Sequence, residues 1–161
     1  MALHKVDAMA ADIRNRYLQA PTSENHFVIC DADINGIENA GKQAMVGRAL
    51  NCSKLVGRGF WMHMRACMDT LGFISCFAYS DAWIRKSKLG DGTAYYEYVI
   101  LYVDDFLVIS ENAENVIRDD IRKYFELKQE SIKPLDMYLG VHMRQVTLDN
   151  VMKAWAFGSS Q

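Results

Sequence analysis

Two aspartates, Asp104 and Asp105, stand side by side in the most apolar stretch of the chain, Tyr98–Ser110 (Y-V-I-L-Y-V-D-D-F-L-V-I-S). Runs of this length and β-branched content read as two strands rather than a helix. A two-residue hairpin between them would ordinarily carry Asn-Gly or Asp-Gly, because positive φ is costly for a residue with a Cβ. Here the join offers two like charges and no glycine. At roughly 6 Å and an effective dielectric of about 20 they repel by about 3 kcal/mol. A solvated acidic turn would account for the pair taken alone. A divalent cation would account for it chemically, by turning repulsion between hard oxygen ligands into binding.

The elements that must position these acids follow from the flanking pattern. The small-residue run Asp7–Asp12 reads as a short strand followed by a turn, and Pro21-Thr22-Ser23 as a loop. Phe27–Cys30 and Ala44–Leu50 read as short strands. Gly57–Leu71 reads as a helix, with Trp61, Met64, Met68 and Leu71 on its buried face and Gly72 as its C-cap. Cys76–Arg85 is expected as a strand bent at Ser80-Asp81, and Leu89-Gly90-Asp91-Gly92 as a hairpin turn leading into the long strand. Beyond it, Asn112 is expected to cap a helix burying Val116, Ile117, Ile121, Tyr124 and Phe125, with Lys128 near its negative end. Pro134 stops it, and Met137–Val146 resumes as strand. The order β-α-β-β-α-β predicts an α+β fold with helices layered on an antiparallel sheet.

Composition bounds the function classes. The chain has 161 residues, 50% of them hydrophobic and 24% charged, which reads as a single globular domain. No run approaches the ~18 apolar residues of a membrane span, and Met1–Asp7 lacks an apolar signal core, so an intracellular protein without membrane partners is expected. Cys30, Cys52, Cys67 and Cys76 show no C-x-x-C spacing and read as free thiols. The net charge of −2 argues against indiscriminate nucleic-acid binding. Lys42, Arg48, Lys54, Arg58 and Arg65 nevertheless cluster in one segment, and acids predominate over Glu111–Glu130. Two other motifs fail where the chemistry would occur. Asp31–Gly36 opens like a calcium loop but has Lys42 where a bidentate Glu belongs, and Gly36–Lys42 resembles a phosphate loop but continues with Gln43 instead of Ser or Thr.

Tyr102-Val103-Asp104-Asp105 resembles the Y-x-D-D box of reverse transcriptases, and further pieces in order resemble those of copia-type LTR retrotransposons. Asp12-Ile13-Arg14-Asn15 with Tyr17-Leu18 is similar to the family's D-[VI]-K-N-A-[FY]-L box. Leu50, Lys54, Gly57, Arg58 and Trp61 fall where the family has L-Y-G-L-K-Q-x-x-R-x-W. Gly72, Phe73, Asp81 and Trp83 match a later segment in spacing. Tyr124–Lys128 and Tyr138–Val141 resemble the F-x-[ML]-K and [FY]-L-G-[IV] pieces. The resemblance spans about Asp7 to Arg144 and implies a partial palm domain with fingers and thumb largely missing; residues 145–161 have no counterpart.

The resemblance implies RNA-directed DNA polymerase chemistry on a template–primer and dNTP. Asp12, Asp104 and Asp105 would hold two Mg²⁺ ions. Tyr17 would lie under the incoming sugar, Lys54 and Arg58 near phosphate or template, and Tyr102 and Val103 against the primer end. Arg16 replaces a small residue beside the nucleotide, and Asn51 and Cys52 replace the Tyr-Gly of the L-Y-G box. The alternative from another class is a non-catalytic nucleic-acid-binding remnant that uses the basic segment and exposed tyrosines.

Overall fold

A computed structural model describes residues 6–21, 26–48, 56–147, 149 and 153–158. The strands and helices in chain order are β1 (Asp7–Asp12), β2 (Phe27–Ile29), α1 (Ala32–Asn35), β3 (Gln43–Met45), α2 (Val56–Thr70), β4 (Ile74–Ser75) and β5 (Ala82–Lys88). They continue with β6 (Ala94–Tyr102), β7 (Asp105–Ser110), α3 (Ala113–Asn115), β8 (Lys133–Pro134), β9 (Met137–Tyr138), β10 (Val141–Thr147) and β11 (Lys153–Gly158). The fold is α+β with few helices. Its main feature is a six-stranded antiparallel sheet in the order β4-β5-β6-β7-β1-β8. The chain divides into two compact units, one formed by residues 1–14 and 67–161 and the other by residues 15–66.

The first unit is built on β7, whose Phe106, Leu107 and Val108 are buried in succession, as expected of a strand covered on both faces. One face carries Ala11, Val99, Leu101, Phe106 and Val108, all buried. It is backed by the segment after β7, where Phe125 meets Phe106 edge-on at 6.3 Å and Ile117 and Ile121 are fully buried. Each large apolar side chain removed from water contributes about 2–3 kcal/mol. On the other face Ala8 and Leu107 form a cluster with Leu135, and Ile100, Tyr138, Met143 and Trp155 pack against it. The small sheet β11-β10-β9 therefore supplies cover for this face.

A charged network ties β5 and β6 to the helical layer. Arg85 on β5 donates to Glu97 on β6 (2.7 Å), to Asp120 (2.9 Å) and to the Leu71 carbonyl (2.9 Å), and its guanidinium lies 4.2 Å over the Phe73 ring. Glu97 is buried and also accepts from Ser110 Oγ at 2.8 Å. Desolvation alone would lower the Arg85 pKa, but these carboxylates more than offset it and raise it.

In the second unit β2 pairs with β3, and Asp31 caps α1 by accepting from the Asp33 N–H. The expected helix 57–71 forms as α2, which runs from the second unit into the first, and Gly72 follows it at φ +80°. Its buried face is Phe60, Met64, Cys67 and Met68; Trp61 stands at the margin, half-buried, with Arg65 5.5 Å over its ring. Of the expected stripe, Met64 and Met68 are buried, while Trp61 and Leu71 stand at its margins and Phe60 and Cys67 complete the face, since 3.6 periodicity admits either aromatic.

Four further expectations change. The strand foreseen over Cys76–Arg85 begins only at Ala82, because residues 76–81 turn back to pair β4 with β5. The helix after Ser110 is not a regular one: α3 passes into a π-helical turn at Val116–Asp120 and a 3-10 turn at Ile121–Lys123. Asn112 makes no side-chain cap; instead its N–H donates to Ser110 Oγ, and Tyr124 is exposed. The strand foreseen over Met137–Val146 is folded in two by a turn at Leu139-Gly140, both at positive φ (51° and 76°), the pattern of a type I′ hairpin. The strand foreseen over Ala44–Leu50 ends at Met45 as β3; Ala49 and Leu50, and all of the loop 21–23 but Pro21, lie outside the described residues. No helix among the described residues is long and apolar enough to cross a membrane.

Candidate functional site

The hairpin of β6 and β7 closes with the pair Tyr102–Asp105, so its two-residue tip is Val103-Asp104 and not the two aspartates. Only the first tip residue, Val103, has positive φ (55°), the sign pattern of a type II′ turn, where glycine is the ordinary occupant. A β-branched residue held there costs of order 1–2 kcal/mol, and Val103 and Tyr102 are both half-exposed. Moving the tip by one residue takes Asp105 into the ladder. It stands directly across from Asp12 in the β1–β7 register, and cross-strand partners project to the same face. The Ile13 N–H donates to the Asp104 carbonyl at 2.8 Å, which fixes the tip against the end of β1. Asp12 and Asp104, distant in sequence, are thus neighbours in space.

The end of β1 is clamped from a second direction. Lys128 N–H donates to the Asp12 carbonyl (2.9 Å), and the Asp12 N–H donates to Ser131 Oγ (2.7 Å). Ser131 Oγ in turn donates to the Lys128 carbonyl (2.6 Å). These bonds set the Lys128 ammonium 2.7 Å from Asp12 Oδ2. The other oxygen, Asp12 Oδ1, is buried and has no hydrogen-bond partner. Burial raises the Asp105 pKa, the Asp104 and Asp12 charges raise it further, and Lys128 opposes them. The hydrogen bond to Asp12 holds the Lys128 ammonium above the ordinary lysine range, with the Asp12, Asp104 and Asp105 charges adding to it. Tyr138 on β9 has its pKa pushed up to about 12, first by burial and then by the Asp105 charge, and its buried hydroxyl has no partner.

The structure therefore brings together Asp12, Asp104 and Asp105 with Tyr102 and Val103. Tyr17 and Arg58 belong to the second unit. There Tyr17 meets Phe60 edge-on at 6.2 Å, and the Arg16 guanidinium lies over the Phe60 and Tyr17 rings at 4.3 and 5.1 Å. Arg58 is exposed on α2, and Lys54, with Asn51 and Cys52, lies outside the described residues. Lys128 and Tyr138 were not foreseen as neighbours of the acids. The sequence reads Lys128 as a helix-end cation and as the last residue of the F-x-[ML]-K piece, and neither reading pairs it with a strand more than a hundred residues earlier.

Three carboxylates with one orphaned buried oxygen suit a hard divalent cation, so the donor chemistry fits magnesium. No three His, Cys, Asp or Glu side chains among the described residues converge into a ready-made metal group. Comparison with protein-family models and with curated proteins finds no match for the chain.

Proposed function

We propose that the chain carries the palm of a copia-type reverse transcriptase and performs RNA-directed nucleotidyl transfer at Asp12, Asp104 and Asp105. The observation that carries this reading is the cross-strand pairing of Asp12 with Asp105, with Asp104 at the adjoining hairpin tip. It is the convergence that the Y-x-D-D resemblance requires of two distant sequence pieces. The antiparallel sheet with its helical layer on one face agrees with a palm. Asp12 and Asp104 would hold the magnesium ions, and Asp105 would support them electrostatically. Bound magnesium would polarise the attacking 3′-oxygen and neutralise the leaving pyrophosphate. Val103 and Tyr102, exposed at the tip, would bear on the primer end. By the same resemblance Tyr17 would exclude a 2′-hydroxyl, and Lys54 and Arg58 would meet phosphate.

Primer extension on an RNA template with Mg²⁺ tests this. The wild-type chain should add dNTPs, and Asp104→Asn should lose roughly a thousandfold in rate. Equal extension by both would remove the assignment.

A second reading, nucleic-acid binding without catalysis, is favoured by one feature of the same sheet. Tyr96, Tyr98 and Tyr102 alternate along β6 on the face that carries Asp105, and Lys86 and Lys88 on β5 share that face. Lys86, Lys88, Tyr96 and Tyr102 are exposed. Tyrosines interleaved with cations suit stacking of bases and contact with phosphate. Salt-sensitive RNA binding that persists in Asp104→Asn, with no extension by the wild type, would select this reading.

A further inference from the structure

We infer that Lys128 is a built-in competitor for the divalent cation at Asp12, its ammonium holding a carboxylate oxygen that the cation must take over. The inference rests on the nucleotidyl-transfer reading and adds to it a step that regulates access to the site.

Four observations carry it. The ammonium is seated 2.7 Å from Asp12 Oδ2, in the place where a cation would neutralise that carboxylate. The seat is built into the main chain, since Lys128 N–H bonds the Asp12 carbonyl and Ser131 Oγ links the Asp12 N–H to the Lys128 carbonyl. Asp12 stands directly across the ladder from Asp105, beside the tip residue Asp104, so the ammonium sits at the strand end where the three acids meet. Lastly, Lys128 satisfies only half of its partner: Asp12 Oδ1 stays buried with no donor, an acceptor that a lysine on Oδ2 leaves unpaired.

The Lys128 side chain is 40% exposed, so its ammonium borders water. A partly exposed, singly charged pair is among the weaker ionic contacts. A divalent ion brings twice the charge and can address both oxygens. Its apparent affinity is then reduced by the fraction of molecules in which Lys128 holds Asp12.

Mn²⁺ binding to the whole chain, followed by electron paramagnetic resonance, tests the competition in the wild type, Lys128→Met and Lys123→Met. Lys123 lies 3.9 Å from Asp120, away from Asp12, and controls for the loss of one positive charge. Lys128→Met should bind Mn²⁺ roughly tenfold more tightly, and Lys123→Met should match the wild type. Equal affinity in Lys128→Met, or equal tightening in both variants, would overturn the competition and leave the nucleotidyl-transfer reading standing. Failure of the wild type and Lys128→Met alike to bind Mn²⁺ would overturn both. A second measurement needs no substitution. With ¹³C-methylated lysines, saturating Mg²⁺ should move the Lys128 resonance to the position of a solvated lysine, and an unmoved resonance would contradict displacement.

Discussion

Burial is the first reason that Asp105 resists ionisation, and the neighbouring Asp104 and Asp12 charges are the next. Its pKa is raised on folding, so its carboxyl favours stability below the ordinary carboxylate range and loses that contribution as pH rises through the raised value. Asp105→Asn removes the cost of ionisation. At pH 7 in EDTA it should melt at a higher temperature than the wild type, and the gap should close on acidification below the ordinary carboxylate range. A variant that melts lower than the wild type at pH 7 would contradict the account. Val103 stores strain of a different kind, in a φ of 55°. Val103→Gly should relieve it, gaining about 0.5–1 kcal/mol in urea melts after glycine's greater freedom in the unfolded chain is subtracted. A loss of stability would show that the valine side chain contributes more than its backbone costs.

Elements hold these residues through contacts that differ in how far they can be read from sequence. Strands β6 and β7 were legible because unbroken runs of β-branched and other apolar residues flank the acids, and the turn at Leu89–Gly92 because its glycines announce it. The exact tip was not legible. A glycine-free turn gives no local sign of register, and pairing with β1 decides which residue leaves the ladder. The segment 113–123 misled for a related reason: its apolar spacing fits an α-helix, but the chain adopts π and 3-10 turns there. The Arg85 network was equally silent in sequence, since its members come from β5, β6, the end of α2 and the π turn. Arg85→Met would leave Glu97 buried without its cation, and should cost about 3 kcal/mol in a denaturant titration. A cost under about 1 kcal/mol would mean that the network is incidental to stability.

At the scale of the whole molecule, a net charge of −2 must coexist with an affinity for polyanions if the proposed activity is correct. The cations on the β5–β6 face supply a local answer, because binding depends on where positive charge lies more than on its sum. Replacing Lys86 and Lys88 together by Ala should weaken RNA binding and lower the slope of log affinity against log salt by about one to two units. An unchanged slope would place the phosphate contacts elsewhere. The central claim, that a β1 carboxylate and a hairpin tip form one catalytic centre, depends most on Asp12, the member brought in from a distant part of the sequence. Its most direct test is the rate of single-nucleotide incorporation on an RNA template in saturating Mg²⁺, compared between wild type and Asp12→Asn. The account predicts measurable incorporation by the wild type and a loss of roughly a thousandfold in the variant; incorporation at the same rate by both would contradict it.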